Sequence, residues 1–385
     1  MIWTALGAAA AAVWLYLLTF RGGFWRARIR DDDAVSLPPR ALWPSVTVVI
    51  PARNEAEHIG MTLRALLDQH YDGELSIVVV DDGSADDTAR IARGVAATLP
   101  AWRPVTVIQG GLLPEEWTGK LWALQQALIR LGHESRSPEF ILFTDADIYF
   151  QPDALAPIVA RAMTDGLVLT SLMAKLRCVS AAERFLLPAF IFFFQMLYPF
   201  EWVKRRDRST AAAAGGCMLV RYSALQAAGG LQAIRAELID DCALARLLKQ
   251  SGAIWVGLTD RVASLRRYAT FAEIGQMVAR TAYAQLRFSP VLLLFTMFAM
   301  TLSYVMPPVL LAISPASAQA FALFAWLTMA LMFQPTLRFY RVSRGYGIVL
   351  PVIAAVYLGF TLRSAYQYLR GGGGAWKGRI YRPAA

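Results

Sequence analysis

The sequence predicts an α/β domain, built on a mostly parallel sheet with helices on both faces, joined to transmembrane helices. Between residues 40 and 285, short β-branched runs alternate with segments of helical periodicity, which is typical of a parallel sheet covered by helices. On both sides of this region lie long runs without a charged residue. Such runs reach the roughly 20 residues that a helix needs to cross a bilayer.

The composition agrees with a membrane protein. Of the 385 residues, 56% are apolar and 17% are charged, whereas soluble domains have about 45–50% and about 25%. The formal net charge is +10, and the basic residues cluster beside the apolar runs, which favours a membrane surface over nucleic acid as the partner. The three cysteines and three histidines have no paired spacing, so neither a disulfide framework nor a structural zinc site is predicted.

Residues 1–21 are predicted to form an N-terminal transmembrane anchor. Ile2–Phe20 carries no charge, and four arginines follow it between Arg21 and Arg30. A cleavable signal peptide would instead carry its positive charge before the apolar run. Because positive flanks stay in the cytoplasm, the chain after the anchor is expected on the cytosolic side.

Residues 288–368 are predicted to form the C-terminal membrane helices. Phe288–Leu337 is uncharged, and Pro307-Pro308 and Ser314–Ser317 interrupt it near the middle. This pattern predicts two spans that are broken at these positions and joined by a short outer turn.

Two other apolar runs are predicted to lie at the membrane surface. If Gly345–Leu362 crossed the bilayer, the basic tail of residues 369–385 would lie outside, so we expect this run to be re-entrant or interfacial. Phe185–Phe200 is rich in aromatic residues, and a crossing there would separate the two halves of the central domain. Of the two remaining interpretations, a buried core helix and an interfacial aromatic segment over residues 183–206, we favour the interfacial one.

Buried strands are predicted where short apolar, mostly β-branched runs occur. They are Ser45–Ile50, Ser76–Val80, Val105–Ile108, Phe140–Thr144 and Leu167–Ser171. Ligands of parallel sheets bind outside the carboxyl ends of the strands, so the residues that follow each strand are the candidates for a site.

Acidic residues follow three of these strands. Pro51–Glu55 comes after the first, Asp81–Asp87 after the second, and Asp145-Ala146-Asp147 after the fourth. Each segment alone is explained by helix capping and turn formation. Together they bring carboxylates to one edge of the sheet, where two aspartates separated by one residue suit a divalent cation that also binds phosphate.

With these motifs the sequence resembles the family 2 glycosyltransferases, over about residues 44–285. The motifs are Val48–Glu55, Val79–Ser84, Gly119-Lys120, Thr144–Asp147, Gly215-Gly216 and Asp240–Leu244. The resemblance implies a GT-A fold, which is Rossmann-like, over residues 40–285. The anchor and the segments Trp117–Trp122, Arg280–Leu286 and Trp376–Arg379 are most similar to the bacterial hopene-associated glycosyltransferases.

The resemblance also implies roles for individual residues. The nucleotide-sugar donor would contact Pro51, Arg53, Glu55, Asp81, Asp82, Lys120 and Asp145. Asp145 and Asp147 would form the DxD motif that holds Mg²⁺ or Mn²⁺, with Asp147 as the direct ligand. Asp241 would be the catalytic base, supported by Asp240 where the family has glutamate.

Other interpretations of some of these residues remain open from the sequence. Without the resemblance, Lys120 is an exposed residue at a helix start, and Asp240-Asp241 is a pair that caps a helix. Arg266 and Arg267 either contact phosphate or form a solvated basic face. The Gln-x-x-Arg-Trp motif of processive synthases is not matched at Gln276–Thr281, which argues against a polymerising enzyme.

The function implied is transfer of a sugar from a nucleotide-diphosphate donor to a membrane lipid, a hopanoid or another polyprenoid. A single base opposite the leaving group predicts inversion at the anomeric carbon. The expected location is the bacterial inner membrane, in a multi-pass protein whose catalytic domain faces the cytosol, with no nucleic-acid partner. Two alternatives remain: a different lipid acceptor (carotenoid, ceramide, diacylglycerol or polyprenyl phosphate) and an inactive membrane scaffold, against which the complete set of acidic motifs argues.

Overall fold

The structure is a computed structural model that describes residues 1–32, 39, 43–98 and 103–371, together with the backbone of 375–376 and 379–380. It consists of a sheet domain and a bundle of apolar helices. More than half of the predicted basic tail, residues 369–385, lies outside the described residues. Of it, the structure describes Leu369–Gly371 and the backbone of a short antiparallel pair, Ala375–Trp376 and Arg379–Ile380.

The sheet has eight strands within the described residues. They are β1 (Val46–Ala52), β2 (Leu75–Asp81), β3 (Val105–Gln109), β4 (Phe140–Phe143), β5 (Ile148–Phe150), β6 (Leu167–Lys175), β7 (Met218–Arg221) and β8 (Ala253–Ser264). Their spatial order is β3-β2-β1-β4-β7-β6-β8-β5. The pairs among β1 to β4 are parallel, as is β6 with β8, whereas β7 is antiparallel to β4 and β6, and β5 to β8. The sheet is therefore mixed, and its antiparallel pairs involve strands that the sequence did not predict.

The described helices cover both faces of the sheet and form the bundle. They are α1 (Ile2–Thr19), α2 (Ile59–Leu67), α3 (Thr88–Ala97), α4 (Gly119–Gly132), α5 (Leu155–Thr164), α6 (Ala181–Leu197), α7 (Phe200–Val203), α8 (Tyr222–Ala227), α9 (Asp240–Lys249), α10 (Phe271–Ala279), α11 (Ala282–Gln285), α12 (Pro290–Met300), α13 (Met306–Ile313), α14 (Ala316–Tyr340) and α15 (Leu350–Leu369).

Strand β1 shows why the sheet needs two layers of helices. Val48 and Ile50 belong to the core shared with α2, α3 and α5, whereas Val49, on the opposite face, belongs to the core shared with α4 and α9. Successive side chains of a strand point to opposite faces, so a strand covered on both sides is apolar throughout. This explains the unbroken apolar run that predicted the strand.

The bundle is held together by large apolar side chains from four helices. Trp14 of α1, Phe192 of α6, Phe333 of α14 and Tyr357 of α15 share one buried cluster. Four helical stretches among the described residues are long and apolar enough to cross a membrane, by length and composition alone. They are Ile2–Thr19, Ala181–Val203, Pro290–Ile313 and Ala316–Tyr340.

The predicted break at Pro307-Pro308 is wrong, although the turn at Ser314-Pro315 is confirmed. The chain passes from α12 to α13 through a π-helical turn, Thr301–Val305, without leaving the helix. Proline has no N–H, so Pro307 cannot donate to the carbonyl of Ser303 four residues earlier. The indole of Trp14 donates to that carbonyl instead, at 2.8 Å, and the buried oxygen keeps a partner.

The two runs predicted to lie at the membrane surface form regular helices. In α6, 9 of the 17 residues are buried within the protein, which agrees with the core-helix interpretation for that face. Gly345–Leu362 contributes to α15, a continuous helix of 20 residues, so it does not form a re-entrant hairpin. An interfacial position for either helix stays a prediction.

Candidate active site

A cavity of about 860 Å³ opens at the carboxyl ends of β1 and β4. Eight of the residues assigned from the sequence line it: Pro51, Arg53, Glu55, Lys120, Asp145, Asp147, Asp240 and Asp241. The adjacency of the strand ends is confirmed, because β2, β1 and β4 are neighbours in the sheet. The sheet thus brings together segments that are up to almost 200 residues apart in the chain.

The two aspartates of the DxD motif lie in the short connection between β4 and β5. Asp145 Oδ1 is 3.0 Å from the ammonium of Lys120, and Asp147 Oδ2 accepts a hydrogen bond from Arg266 Nε at 2.7 Å. The hydroxyl of Thr144 donates to the carbonyl of Gly216 at 2.8 Å, which fixes the start of the connection. Both carboxylates are therefore held by cationic side chains from other segments.

Arg266 joins two of the acidic motifs. Besides Asp147 it contacts Glu55, at 2.9 Å between Nη2 and Oε1. Burial alone would lower the pKa of Arg266, but the carboxylates of Asp147 and Glu55 raise it above its usual value. Arg266 is thus a fixed cation of the site, and its interpretation as part of a solvated basic face is wrong.

Lys120 lies in the first turn of α4 and points into the cavity. Its ammonium is 3.0 Å from carboxylate oxygens of both Asp145 and Asp240, and its side chain is 18% exposed. Burial lowers the pKa of Lys120, but Asp145, Asp240 and Asp241 outweigh this effect and raise it above the usual value. The exposed helix-start interpretation is therefore wrong.

A glycine makes room for this cluster. A Cβ on Gly215 would lie 3.0 Å from Lys120 Nζ and 3.6 Å from Asp241 Oδ2. Such contacts are too tight for any larger residue without a shift of the lysine. The Gly215-Gly216 motif thus has a steric reason in this fold.

Asp241 occupies the first turn of α9. Its Oδ2 accepts a hydrogen bond from the backbone N–H of Gly215 at 3.0 Å, and its Oδ1 accepts one from Cys242 at 2.7 Å. Burial and the neighbouring Asp240 raise the pKa of Asp241 to about 6, against the opposing effect of Lys120. A buried carboxyl group that titrates near neutral pH suits general-base catalysis.

The segment after β1 is locked to the segment after β2. Arg53 donates to the backbone carbonyl of Asp82, and its Nη1 lies 3.7 Å from the Asp82 carboxylate. Asn54 has a left-handed backbone, with φ of 51°, and its side chain accepts a hydrogen bond from Ala85 at 2.8 Å. Asp81 and Asp82 are buried and do not themselves line the cavity. Asp82 lies behind Arg53, whereas the carboxylate of Asp81 accepts from the backbone N–H of Ser84 at 3.3 Å.

Hydrogen bonds hold the segment Arg266–Tyr268 against the start of α6. Glu183 completes a capping box with Ser180 at the start of α6, and its Oε1 also accepts from the backbone N–H of Tyr268 at 2.8 Å. The hydroxyl of Ser180 donates to the carbonyl of Tyr268 at 2.8 Å. This role of Ser180 and Glu183 was not predicted, although the Ser-x-x-Glu spacing of a capping box is visible in the sequence.

The DxD aspartates fit a divalent cation by the chemistry of their donors. Carboxylate oxygens are the ligands that Mg²⁺ and Mn²⁺ prefer. Lys120 and Arg266 now pair with these carboxylates, so a divalent cation would have to compete with them. No group of three histidine, cysteine or acidic residues that could hold a metal occurs among the described residues. Two carboxylates with substrate phosphates completing the shell are common for Mg²⁺.

Part of the cavity lining was not assigned from the sequence. Its apolar members include Met173, Leu176, Phe190, Phe194 and Met277. They come from β6, from the segment after it, from α6 and from α10. The spacing of Phe190 and Phe194, which puts them on one helix face, was a usable signal.

Comparison with known proteins identifies the domain. Residues 47–229 match the model of the family described as Glycosyl transferase family 2. The chain contains a family 2 glycosyltransferase domain. This confirms the family-level resemblance, while the hopene-associated subfamily stays a prediction.

Curated relatives cover part of the chain. The 4,4′-diaponeurosporenoate glycosyltransferase of Staphylococcus aureus (strain bovine RF122 / ET3-1) is 33% identical over 123 residues, which is 32% of this chain and 29% of that protein. The protein of the same name from strain USA300 is 32% identical over the same shares. The match thus spans less than a third of the length of these relatives.

A solved structure shows the same fold over nearly the whole chain. It is the mannosyltransferase PcManGT from Pyrobaculum calidifontis, in complex with GDP-Man and Mn²⁺. The likeness covers 95% of this chain and 99% of that one, with a TM-score of 0.60 and 20% sequence identity. The predicted GT-A fold with additional apolar helices is confirmed.

Proposed function

We propose that this protein is a membrane-bound, inverting glycosyltransferase that moves a sugar from a nucleoside-diphosphate donor to a hydroxyl group of a membrane lipid. The observation that supports this most is the position of Asp241. Its carboxyl group, with a pKa of about 6, shares one cavity with the DxD aspartates Asp145 and Asp147. A base and a cation site in one cavity are the two parts that the reaction needs.

The donor is proposed to bind along the edge formed by Pro51, Arg53 and Glu55. Asp82 supports Arg53 from behind, and Asp81 holds the turn after β2 through Ser84. Lys120 and Arg266 bring positive charge to the cavity, where a diphosphate would lie. Mg²⁺ or Mn²⁺ on Asp145 and Asp147 supplies Lewis-acid stabilisation of the departing diphosphate when bound. The PcManGT complex with GDP-Man and Mn²⁺, a protein of the same fold, supports this donor and metal class.

The acceptor hydroxyl is proposed to lose its proton to Asp241. Proton transfer to a positioned base contributes about 10²–10⁴ in rate. Two backbone N–H groups orient the carboxylate, and Asp240 raises its basicity. Attack from the side of this base, opposite the leaving diphosphate, inverts the anomeric carbon.

The lipid nature of the acceptor is supported by the apolar helices on both sides of the domain in the chain. We place the protein in the bacterial inner membrane, with several spans and the catalytic domain in the cytosol, and we propose a hopanoid or another polyprenoid as acceptor. A carotenoid is the second candidate, because the curated relative is named for 4,4′-diaponeurosporenoate.

The test uses detergent-purified protein with Mn²⁺ or Mg²⁺, a panel of nucleotide sugars and a bacterial lipid extract. We expect nucleoside diphosphate release that depends on lipid and metal, and a loss of roughly 10²-fold or more in Asp241→Asn and Asp147→Ala. Asp87→Asn is the matched control, because Asp87 is an exposed aspartate paired with Arg90. Mass analysis of the product distinguishes a hopanoid from a carotenoid.

Donor binding with metal but without turnover of any lipid would contradict the proposal. It would favour the inactive-scaffold alternative. The anomeric configuration of the product is read by NMR. A product that retains the configuration of the donor would contradict inversion.

A further inference from the structure

The cavity that holds the carboxylates has a second, apolar side. We call Phe190, Phe194 and Met277 the apolar wall; all three line the same cavity as Asp241. Phe190 and Phe194 lie on α6 and Met277 lies on α10. The apolar wall thus comes from helices that pack with the bundle. The same region of the chain also contributes polar lining residues, among them Gln276 and Arg280.

Helix α6 has two different apolar faces. Ile191 and Phe192 are fully buried within the protein, whereas Phe190 and Phe194 are only half-buried and line the cavity. Residues four apart in a helix lie on the same face, about one turn from each other. The two phenyl rings therefore lie on one face of α6, and both leave part of their apolar surface uncovered in the cavity.

The apolar wall lies in the same cavity as the proposed base, because Phe190, Phe194, Met277 and Asp241 all line it. The ring of Phe194 is 5.2 Å from that of Tyr198, one turn further along the chain, which holds it in place. A ligand with a polar end at Asp241 and an apolar body would therefore find both parts matched in one cavity.

We propose that the apolar wall binds the first apolar segment of the lipid acceptor, directly beyond the hydroxyl that faces Asp241. The proposal rests on the glycosyltransferase function argued above and names the part of the site that selects a lipid. Burial of apolar surface favours such a ligand, while the hydrophilic sugar and diphosphate of the donor gain little from it. Since α10 also packs against α15, the acceptor reaches the wall from the side of the apolar helices.

The close packing of α10 on α15 keeps this wall in place. A Cβ on Gly275 would lie 2.7 Å from the ring of Phe360, so only glycine allows this approach. The hydroxyl of Ser364 accepts from the backbone N–H of Tyr283 at 3.0 Å. Helix α15 is thus fixed on both sides of the turn that follows α10.

The experiment compares Phe190→Ala and Phe194→Ala with Phe185→Ala. Phe185 is the matched control, since it lies on the same helix, is half-buried, contacts Phe271 and Tyr346, and does not line the cavity. The apparent KM is measured for the bacterial lipid extract, and the Kd for the nucleotide sugar that the wild type uses. We expect the lipid KM to rise about 10-fold or more in the two wall variants, with the donor Kd unchanged.

Phe194→Leu keeps an apolar side chain and is expected to recover most of the lipid affinity. An unchanged donor Kd also shows that each variant is folded. Equal lipid KM values in the wall variants and in Phe185→Ala would overturn the proposal, and so would a change in donor Kd alone, which would place the donor sugar on the wall. A wild type that binds donor but does not turn over lipid refutes the proposed function itself, and the wall assignment falls with it.

Discussion

Asp241 makes the activity dependent on pH. Its pKa is raised to about 6, and the base must be deprotonated to accept the hydroxyl proton. The lipid-dependent kcat/KM is therefore expected to be high above pH 6 and to fall about tenfold per unit below it. Lys120 lowers the pKa of Asp241, so Lys120→Met should move this limb to higher pH. The pH dependence of kcat/KM in the wild type and in Lys120→Met measures this shift. An acidic limb at the same pH in both proteins would contradict the assignment of Asp241.

Arg266 is expected to compete with the metal for Asp147. Its Nε contacts the Asp147 carboxylate at 2.7 Å, and a charge-assisted bond of this type must be given up when a cation takes that oxygen. Without donor, Arg266→Gln should bind Mn²⁺ roughly 10-fold more tightly, as measured by electron paramagnetic resonance of free Mn²⁺. Arg267→Gln is the control, because it removes the same charge from the neighbouring position. An equal gain in both variants would show a general charge effect instead.

At the scale of elements, the helix that continues through Pro307-Pro308 depends on a distant indole. Trp14 of α1 donates to the carbonyl of Ser303 at 2.8 Å, in place of the N–H that Pro307 lacks. Trp14→Phe keeps a ring but leaves a buried carbonyl without this donor, and should lower the free energy of unfolding by about 1–3 kcal/mol. Thermal unfolding in detergent measures it.

A double-mutant cycle tests whether the lost hydrogen bond to Ser303 causes the destabilisation. Pro307→Ala restores an N–H that can donate to Ser303 within the helix, so Trp14→Phe should cost clearly less in that background. Equal costs in the two backgrounds would mean that Trp14 acts through packing alone, for example against Tyr304, whose ring centroid is 5.1 Å away.

Helices and strands were predictable where a few neighbouring residues carry the pattern. The strands that became β1 to β4 and β6 are apolar runs, and the acidic residues after three of them indicated the site. Strand β5 has three residues, too short for a periodicity to appear. Strand β7, of four residues, and β8, of 12, were not predicted either. The antiparallel pairs, and with them the mixed sheet, were missed because each pair contains β5 or β7.

The charge pairs of the site could not be predicted, because they join distant parts of the chain. Arg266 contacts Asp147 and Glu55 across separations of 119 and 211 residues. The sequence showed a basic residue and two acidic motifs, but only the folded sheet determines which of them meet. The apolar wall on α6 was missed similarly, since a core helix and a helix that lines a cavity have the same composition.

At the scale of the whole molecule, the arrangement of the helices predicts a topology. The hydroxyl of Thr4, near the start of α1, lies 3.1 Å from that of Ser317, in the first turn of α14, so these two helix ends lie on the same side of the bundle. The opposite end of α1 leads through Arg21 towards the sheet domain. With the positive-inside rule, the start of α14 at Ser317, with the turn at Ser314-Pro315 before it, is expected outside and the domain in the cytosol.

Cysteine labelling tests this topology. Cys217 and Cys242 are buried and Cys178 is half-buried, so the three are first replaced by alanine or serine in a variant that must still bind donor. In spheroplasts, an impermeant maleimide should label Ser317→Cys at once, and should label Glu57→Cys, on an exposed loop of the sheet domain, only after the membrane is lysed. The reverse order would place the domain outside the cell, where nucleotide sugars are scarce, and would contradict a cytosolic active site. Labelling of both positions before lysis would show that these helices do not hold the turn and the domain on opposite sides of a membrane.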